Sequence, residues 1–60
     1  MTTTIVRQSN GYRLVKDISS NMYVIDTDEE VGLWMDVYEA KPMIEALNDE
    51  EFEELAKEYV

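Results

Sequence analysis

The chain has 60 residues, with five Lys and Arg against fourteen Asp and Glu, a formal net charge of −9, and neither His nor Cys. This length indicates one small acidic domain, residues 1–60. The lack of Cys excludes disulfides and thiolate nucleophiles, and the lack of His removes the usual general base near neutral pH. The negative charge argues against direct binding to nucleic acid or to an anionic membrane, because both are polyanions.

The acidity is confined to the second part of the chain. Residues 1–25 carry three basic side chains and one acid, whereas residues 26–60 carry two Lys against thirteen acids. A chain of this length buries only about 60% of its unfolded surface, so its stability is marginal. A homodimer is therefore an open alternative to a monomer.

The first part of the chain begins with a predicted hairpin. The run Thr3–Gln8 is rich in β-branched residues, which favour strands. Asn10-Gly11 follows, and this pair is a strong hairpin signal because a type I′ turn needs positive φ at both positions. Residues 12–18 then form the second strand.

A third strand is predicted after a second turn. In the second strand, Tyr12, Leu14 and Ile18 fall on one face. Ser19–Asn21 indicates a turn, and Met22–Ile25 is a strand that is apolar on both faces and therefore central or covered. These elements together predict an antiparallel meander.

Residues 26–41 fit two different structures. As a strand, apolar residues alternate with others over residues 31–37, and this strand would be the fourth of the meander. As a helix, apolar residues recur at helical spacing after Thr27-x-x-Glu30, the pattern of a capping box. The β-branched and aromatic composition favours the strand, and Gly32 disfavours the helix by about 1 kcal/mol.

The end of the chain is predicted to be helical. Pro42 suits the first position of one helix, and Asn48 can cap a second helix with Glu51 at its third position. Glu53 and Lys57 stand at i, i+4 and are expected to pair. Apolar residues recur at helical spacing at Phe52, Leu55, Ala56 and Tyr59.

These elements predict an α+β fold, an antiparallel β-meander of three or four strands packed against a C-terminal helical segment. The six aromatic side chains are expected in the core, as is usual in small domains. For Trp34 and Tyr38 there is an alternative, because on a strand they would point away from Leu33 and Met35 and could anchor a partner.

No catalytic or metal-binding motif is present. Without His or Cys, the chain cannot supply a catalytic set of nucleophile, base and orienting group. A domain of this size also has little room for a substrate cleft. Two glycines do not make a phosphate-binding loop. The spacing Asp26-x-Asp28-x-Glu30 begins like an EF-hand loop, but Val31 and Val37 occupy the positions that require Gly and Glu. We therefore predict that the protein is not an enzyme and has no cofactor and no dedicated metal site.

The acidic surface is the remaining candidate for a function. Solubility needs a net charge of only about 2–8 in a small domain, and acids in the first turn of a helix complement its dipole. These causes can account for any single acid, but they account less well for charge of one sign concentrated in one part of the chain. Such a field favours a positively charged partner, and the commonest basic clefts in a cell bind nucleic-acid phosphates.

We therefore predict that carboxylates on a rigid frame occupy the Lys and Arg sites of such a cleft, as a nucleic-acid mimic would. The predicted partner-binding residues are ten acids and two aromatic residues: Asp28, Glu29, Glu30, Asp36, Glu39, Asp49, Glu50, Glu51, Glu53, Glu54, Trp34 and Tyr38. In size, charge and lack of catalytic groups, the chain resembles the small acidic inhibitors encoded by phages and mobile elements. This resemblance implies an inhibitor of a basic, nucleic-acid-binding protein such as a nuclease, a glycosylase or a defence complex.

A structural or assembly subunit, homodimeric and with acids that only confer solubility, is the alternative. A tight dimer with Trp34 at its interface would favour it. No apolar run approaches the roughly 20 residues of a membrane span, and residues 1–7 lack the pattern of a signal peptide. We expect a cytoplasmic location, in the host cell if a phage encodes the chain.

Overall fold

A computed structural model describes residues 2–60. Its elements are β1 (Thr3–Ser9), β2 (Tyr12–Asp17), β3 (Met22–Asp26), α1 (Val37–Ile44), α2 (Asp49–Ala56) and a final 3₁₀ turn (Lys57–Tyr59). The three strands form one antiparallel sheet in the order β1-β2-β3. The predicted α+β fold, a meander followed by a helical segment, is therefore confirmed.

Both turns of the meander contain residues that tolerate positive φ. In the first turn, Asn10 and Gly11 have φ values of 49° and 86°, which confirms the predicted type I′ geometry. In the second turn, Asn21 has a φ of 61°, and the Asp17 carboxylate accepts a hydrogen bond of 2.9 Å from Ser20 Oγ. The same carboxylate accepts from the Ser19 backbone N–H at 3.2 Å. These two bonds start the turn directly after Asp17, where β2 ends.

Ile18, predicted on one face of the second strand with Tyr12 and Leu14, lies beyond the end of that strand. Ile18 follows the last residue of β2, and about half of its surface is exposed. Its backbone N–H donates to the Thr2 carbonyl at 3.1 Å. The apolar alternation of the sequence therefore runs one residue past the end of β2, because the Asp17 carboxylate is already hydrogen-bonded to Ser19 and Ser20 of the turn.

The two helices cover one face of the sheet, which we call the inner face; the opposite face is the outer face. Buried apolar side chains form the core between the sheet and the helices: Leu14, Tyr23, Ile25, Met35, Ala40, Met43, Phe52 and Ala56. Leu55 and Tyr59 pack at the margin of this core. The predicted apolar stripe of α2 is therefore confirmed.

A bulge in β1 decides which of its side chains face the helices. Ile5 pairs with Val15 and Arg7 pairs with Leu14, so Val6 is an extra residue without a partner on β2. Successive paired residues of a strand point to opposite faces. Ile5 therefore lies on the outer face, and Arg7 lies on the inner face beside Leu14.

Residues 31–35 run beside β3 without forming a full fourth strand. Tyr23 and Met35 exchange two backbone hydrogen bonds, of 2.8 and 2.7 Å, and Asp26 bridges Val31. This segment covers part of the free edge of β3, whose residues Tyr23 to Ile25 are all buried. The prediction that the third strand is covered agrees with this arrangement.

The strand interpretation of residues 26–41 is wrong for residues 37–41, which belong to α1. α1 begins at Val37, because the Asp36 carboxylate accepts a hydrogen bond of 3.0 Å from the backbone N–H of Glu39 and caps the helix. Pro42 lies inside α1 and not at its first position. This cap and the burial of Ala40 and Met43 in the core favour the helix over the strand preference of these residues.

Candidate protein-binding surface

The helical layer carries most of the acidic side chains. Residues 36–60 contain nine acids and two Lys, and all of these acids except Glu53 are exposed. On α2, Glu50 and Glu54 lie one turn apart, on the side of the helix opposite the buried Phe52 and Ala56. Because α1 packs against α2, the acids of both helices belong to one layer.

Few of these carboxylates are neutralised by a cation. Within residues 2–60, ion pairs join Arg7 to Asp49 at 3.8 Å, Arg13 to Asp26 at 3.5 Å and to Asp28 at 3.1 Å, and Lys57 to Glu54 at 3.4 Å. The other ten acids have no cation of the described chain within ion-pair distance. Of the predicted partner-binding acids, only Asp28, Asp49 and Glu54 are paired in this way.

The N-terminus of α2 is held by a reciprocal pair of side-chain bonds. The Asn48 side-chain oxygen accepts from the Glu51 backbone N–H at 2.8 Å, which confirms the predicted cap. The Glu51 carboxylate accepts from the Leu47 backbone N–H at 3.0 Å, one residue before the cap. These bonds hold the first turn of α2, including Glu50, in a fixed position.

Glu53 contacts the hairpin turn and not the next turn of its own helix. Its carboxylate accepts a bond of 2.6 Å from Ser9 Oγ and a longer one, of 3.5 Å, from the Asn10 side-chain amide. The predicted Glu53–Lys57 pair is wrong, because Lys57 pairs with Glu54. Glu53 therefore joins α2 to the β1–β2 hairpin.

A second group of acids lies in the turn after β3. The Thr27 hydroxyl accepts from the backbone N–H groups of Glu29 and Glu30 at 3.3 and 3.0 Å, so the Thr27-x-x-Glu30 pattern closes a turn and does not start a helix. Asp28 hydrogen-bonds Arg13 and raises the pKa of that guanidinium above its ordinary value. Glu29 and Glu30 are exposed at the tip of this turn.

The acidic turn borders an open groove of about 380 Å³ that extends to the hairpin turn. Asn10, Gly11 and Tyr12 line one side of it. No group of three or more carboxylates that could hold a metal ion occurs in residues 2–60. The groove offers an acidic concave surface to a partner.

Two aromatic side chains lie outside the core. Trp34 is 51% exposed and Tyr38 is 81% exposed, so the prediction that all six aromatic residues are core is wrong for these two. Met35 points into the core, and the side chain before it therefore points to the outer face. Along α1, Ala40 and Met43 face inward, and Tyr38 faces solvent.

Three apolar side chains of this segment are exposed, although the alternating pattern placed them on the same face as the buried Met35. Val31, Leu33 and Val37 are 63%, 82% and 44% exposed. Tyr38 lies in the first turn of α1, between the capping residue Asp36 and Glu39, so an exposed ring and two carboxylates share one end of this helix. This combination is typical of the centre and rim of a protein–protein interface.

No helix of the described chain is long and apolar enough to cross a bilayer. Comparison of the chain with protein-family models, with curated proteins and with solved structures finds no match. The function is therefore argued from the geometry and the charge of this surface.

Proposed function

We propose that the protein is a non-enzymatic binding protein that occupies a basic surface of a nucleic-acid-binding partner and thereby excludes the nucleic acid. The observation that supports this most directly is the helical layer with its nine acids and two Lys, eight of the acids exposed. Such a layer attracts a partner whose Lys and Arg are arranged to receive phosphates.

The carboxylates of the helical layer are held on a rigid frame. Glu50 and Glu54 are separated by about 6 Å along α2, and the bonds of Asn48 and Glu51 fix the start of that helix. Preorganised charges lose little conformational freedom on binding, so more of the electrostatic attraction remains as affinity. Long-range attraction would also accelerate association at low salt.

Tyr38, exposed on α1, would supply an apolar contact of the same interface, whereas Trp34 points to the outer face of the sheet. Aromatic side chains are enriched at the energetic centre of interfaces, and charged side chains at the rim. An acidic surface with an exposed ring can therefore bind a basic cleft by contact as well as by charge. This role requires no catalytic residue and no cofactor.

The test is displacement of fluorescent DNA from a panel of basic DNA-binding and RNA-binding proteins, measured at low and at physiological salt. The informative variant is Glu50→Gln/Glu54→Gln, which removes two exposed charges of the helical layer. Asp17→Asn/Asp26→Asn is the matched control, because it changes the net charge equally at residues outside the predicted surface.

We expect the Glu50→Gln/Glu54→Gln variant to displace DNA at concentrations about tenfold higher than the unmodified protein, while the control changes little. Displacement should weaken steeply as salt rises. Equal losses in both variants would show that only net charge matters, and displacement that ignores salt would overturn the proposal.

The assembly-subunit alternative is favoured by a different observation, the exposure of apolar side chains such as Leu33. It predicts that neither double variant affects binding to basic proteins. The salt dependence of displacement therefore separates the two functions, whatever the oligomeric state.

A further inference from the structure

Residues 31–35, which we call the edge segment, form the free edge of the sheet beside β3. Met35 exchanges two backbone hydrogen bonds with Tyr23 of β3. Neighbouring residues of an antiparallel strand direct their backbone groups to opposite sides, so the N–H and C=O groups of Trp34 point away from β3. Within residues 2–60, the backbone groups of Trp34 and of Leu33 have no backbone partner. They are therefore available to a further strand.

The edge segment lacks the features that usually protect a free edge. Natural edge strands carry Lys, Pro or an inward-pointing charge, or another element covers them. The edge segment has the sequence Val-Gly-Leu-Trp-Met, with neither charge nor Pro, and its Val31, Leu33 and Trp34 are all exposed. An uncharged and exposed edge of this kind is a template for an added strand.

A groove of about 360 Å³ lies beside the edge segment, between residues 30–33 and residues 58–60. Val31 and Leu33 line it with apolar surface, and Glu30 and Glu58 line it with carboxylates. At Glu30 it meets the open groove of the acidic turn. An added strand would therefore find a site for an apolar side chain next to sites for basic side chains.

The charge around the edge segment favours a basic occupant. Residues 29–40 carry four acids and neither Lys nor Arg, and none of the four forms an ion pair within residues 2–60. Two of them, Glu30 and Asp36, flank the edge segment directly. A second copy of this chain would bring an identical acidic segment to the edge, and like charges on paired strands are destabilising. Lys and Arg on the added strand would be attracted instead.

We propose that the edge segment binds an extended segment of a basic protein by strand addition. The backbone of that segment would exchange hydrogen bonds with Trp34. One of its apolar side chains would lie against Val31 and Leu33, and its Lys or Arg side chains would approach Glu30. In this mode of binding, main-chain hydrogen bonds supply affinity and alternate side chains supply specificity.

The test uses an end-blocked, fluorescein-labelled peptide, Lys-Val-Lys-Val-Lys-Val-Lys, whose binding is measured by fluorescence polarisation. The control peptide has the same sequence with a methyl group on each backbone nitrogen, so it keeps the charge but loses the main-chain donors. We expect the methylated peptide to bind at least about tenfold more weakly. Absence of binding, or equal binding of the two peptides, would overturn the proposal, because equal binding shows attraction by charge alone.

Leu33→Lys introduces the kind of charge that protects natural edges and should weaken binding of the unmethylated peptide about tenfold. Leu47→Lys is the matched control, because Leu47 is 91% exposed but lies between the two helices. Equal losses in both variants would contradict the proposal. Glu50→Gln/Glu54→Gln should leave binding of this peptide nearly unchanged. The inference therefore does not rest on the proposed function, and either can fail without the other.

Amide hydrogen exchange provides a measurement on the unmodified chain, which decides the matter if Leu33→Lys does not fold. At saturating peptide, we expect exchange of the Trp34 amide to slow at least about tenfold, because its N–H gains an acceptor. Peptide binding with unchanged exchange at Trp34 would overturn the proposal. Protection of this amide that grows with protein concentration, without peptide, would do the same, since the occupant would then be a second copy.

Discussion

The guanidinium carbon of Arg7 lies 5.3 Å from the centre of the Phe52 ring. The Nη1 group of Arg7 also donates to the carbonyl oxygens of Met43, Ile44 and Ala46, at 3.1, 3.4 and 2.7 Å. These carbonyls lie at the C-terminal end of α1 and just beyond it, where no helical N–H reaches them. The Arg7 side chain, from β1, therefore caps the C-terminal end of α1 and packs on Phe52 of α2.

Arg7→Lys should destabilise the protein, because an ammonium cannot reproduce the planar set of donors that serves several carbonyls. The expected loss is about 1–3 kcal/mol of unfolding free energy, or a Tm lower by about 4–8 °C for each kcal/mol. Urea and thermal unfolding would measure it. Arg13→Lys is the control and should change Tm much less, because the shorter of its two ion pairs is with the exposed Asp28; equal effects would contradict the role of Arg7.

The bulge at Val6 can be tested by deletion. Removal of Val6 leaves Ile5 opposite Val15 and Arg7 opposite Leu14, so both faces of β1 keep their side chains. The variant should fold, with a free energy of unfolding within about 1 kcal/mol of the unmodified chain. Circular dichroism and urea unfolding would show this.

Deletion of Gln8 is the contrasting variant. It moves Arg7 to the outer face and brings Val6 to the inner face, which removes the bonds to the end of α1. We expect a loss of about 2 kcal/mol or more. If the two deletions were equally stable, the position of the bulge would have no importance for the fold.

The two glycines should respond to alanine for different reasons. A Cβ at Gly32 would overlap the backbone carbonyl of Tyr59, whereas a Cβ at Gly11 would meet nothing within 4 Å. Gly11 instead has a φ of 86°, and alanine there costs about 1 kcal/mol of backbone strain.

Gly32→Ala should therefore be the more damaging change, with a loss above about 2 kcal/mol, because backbone must move to relieve the overlap. Urea unfolding of both variants gives the comparison. A larger effect at Gly11 would mean that residues 31–35 do not pack against the final turn in solution.

The excess of negative charge should make stability depend on salt. Ten acids have no ion-pair partner within residues 2–60; they repel one another, and salt screens this repulsion. We expect Tm to rise between about 10 and about 200 mM NaCl.

Glu58→Lys should raise Tm at low salt and reduce its salt dependence, because it makes the net charge less negative and places a cation near the end of a helical segment. Lys57→Glu is the opposite change next to it and should have the opposite effects. A Tm that falls with salt, or equal responses of both variants, would contradict this expectation.

Local signals were sufficient where neighbouring residues determine the structure. Asn10-Gly11 predicted the hairpin turn because only those two φ values matter there, and Asn48 predicted the start of α2 through one bond to the backbone of Glu51. The exposed position of Glu50 and of its neighbours followed from helical spacing alone.

Other features depend on contacts that no local pattern contains. Ile5 and Val6 are both β-branched, so the pattern does not reveal which of them is the extra residue of the bulge. The start of α1 depends on a single carboxylate oxygen of Asp36. Which acids are neutralised could not be predicted either, because Arg7 and Asp49 are far apart in sequence.

The order in which the layers are made has a consequence for biosynthesis. The meander is complete at Asp26, but its inner face is covered only when Phe52 and Ala56 have been added. A chain truncated before Phe52 would therefore leave Leu14, Tyr23 and Ile25 without cover on one face of the sheet, and such a fragment should aggregate.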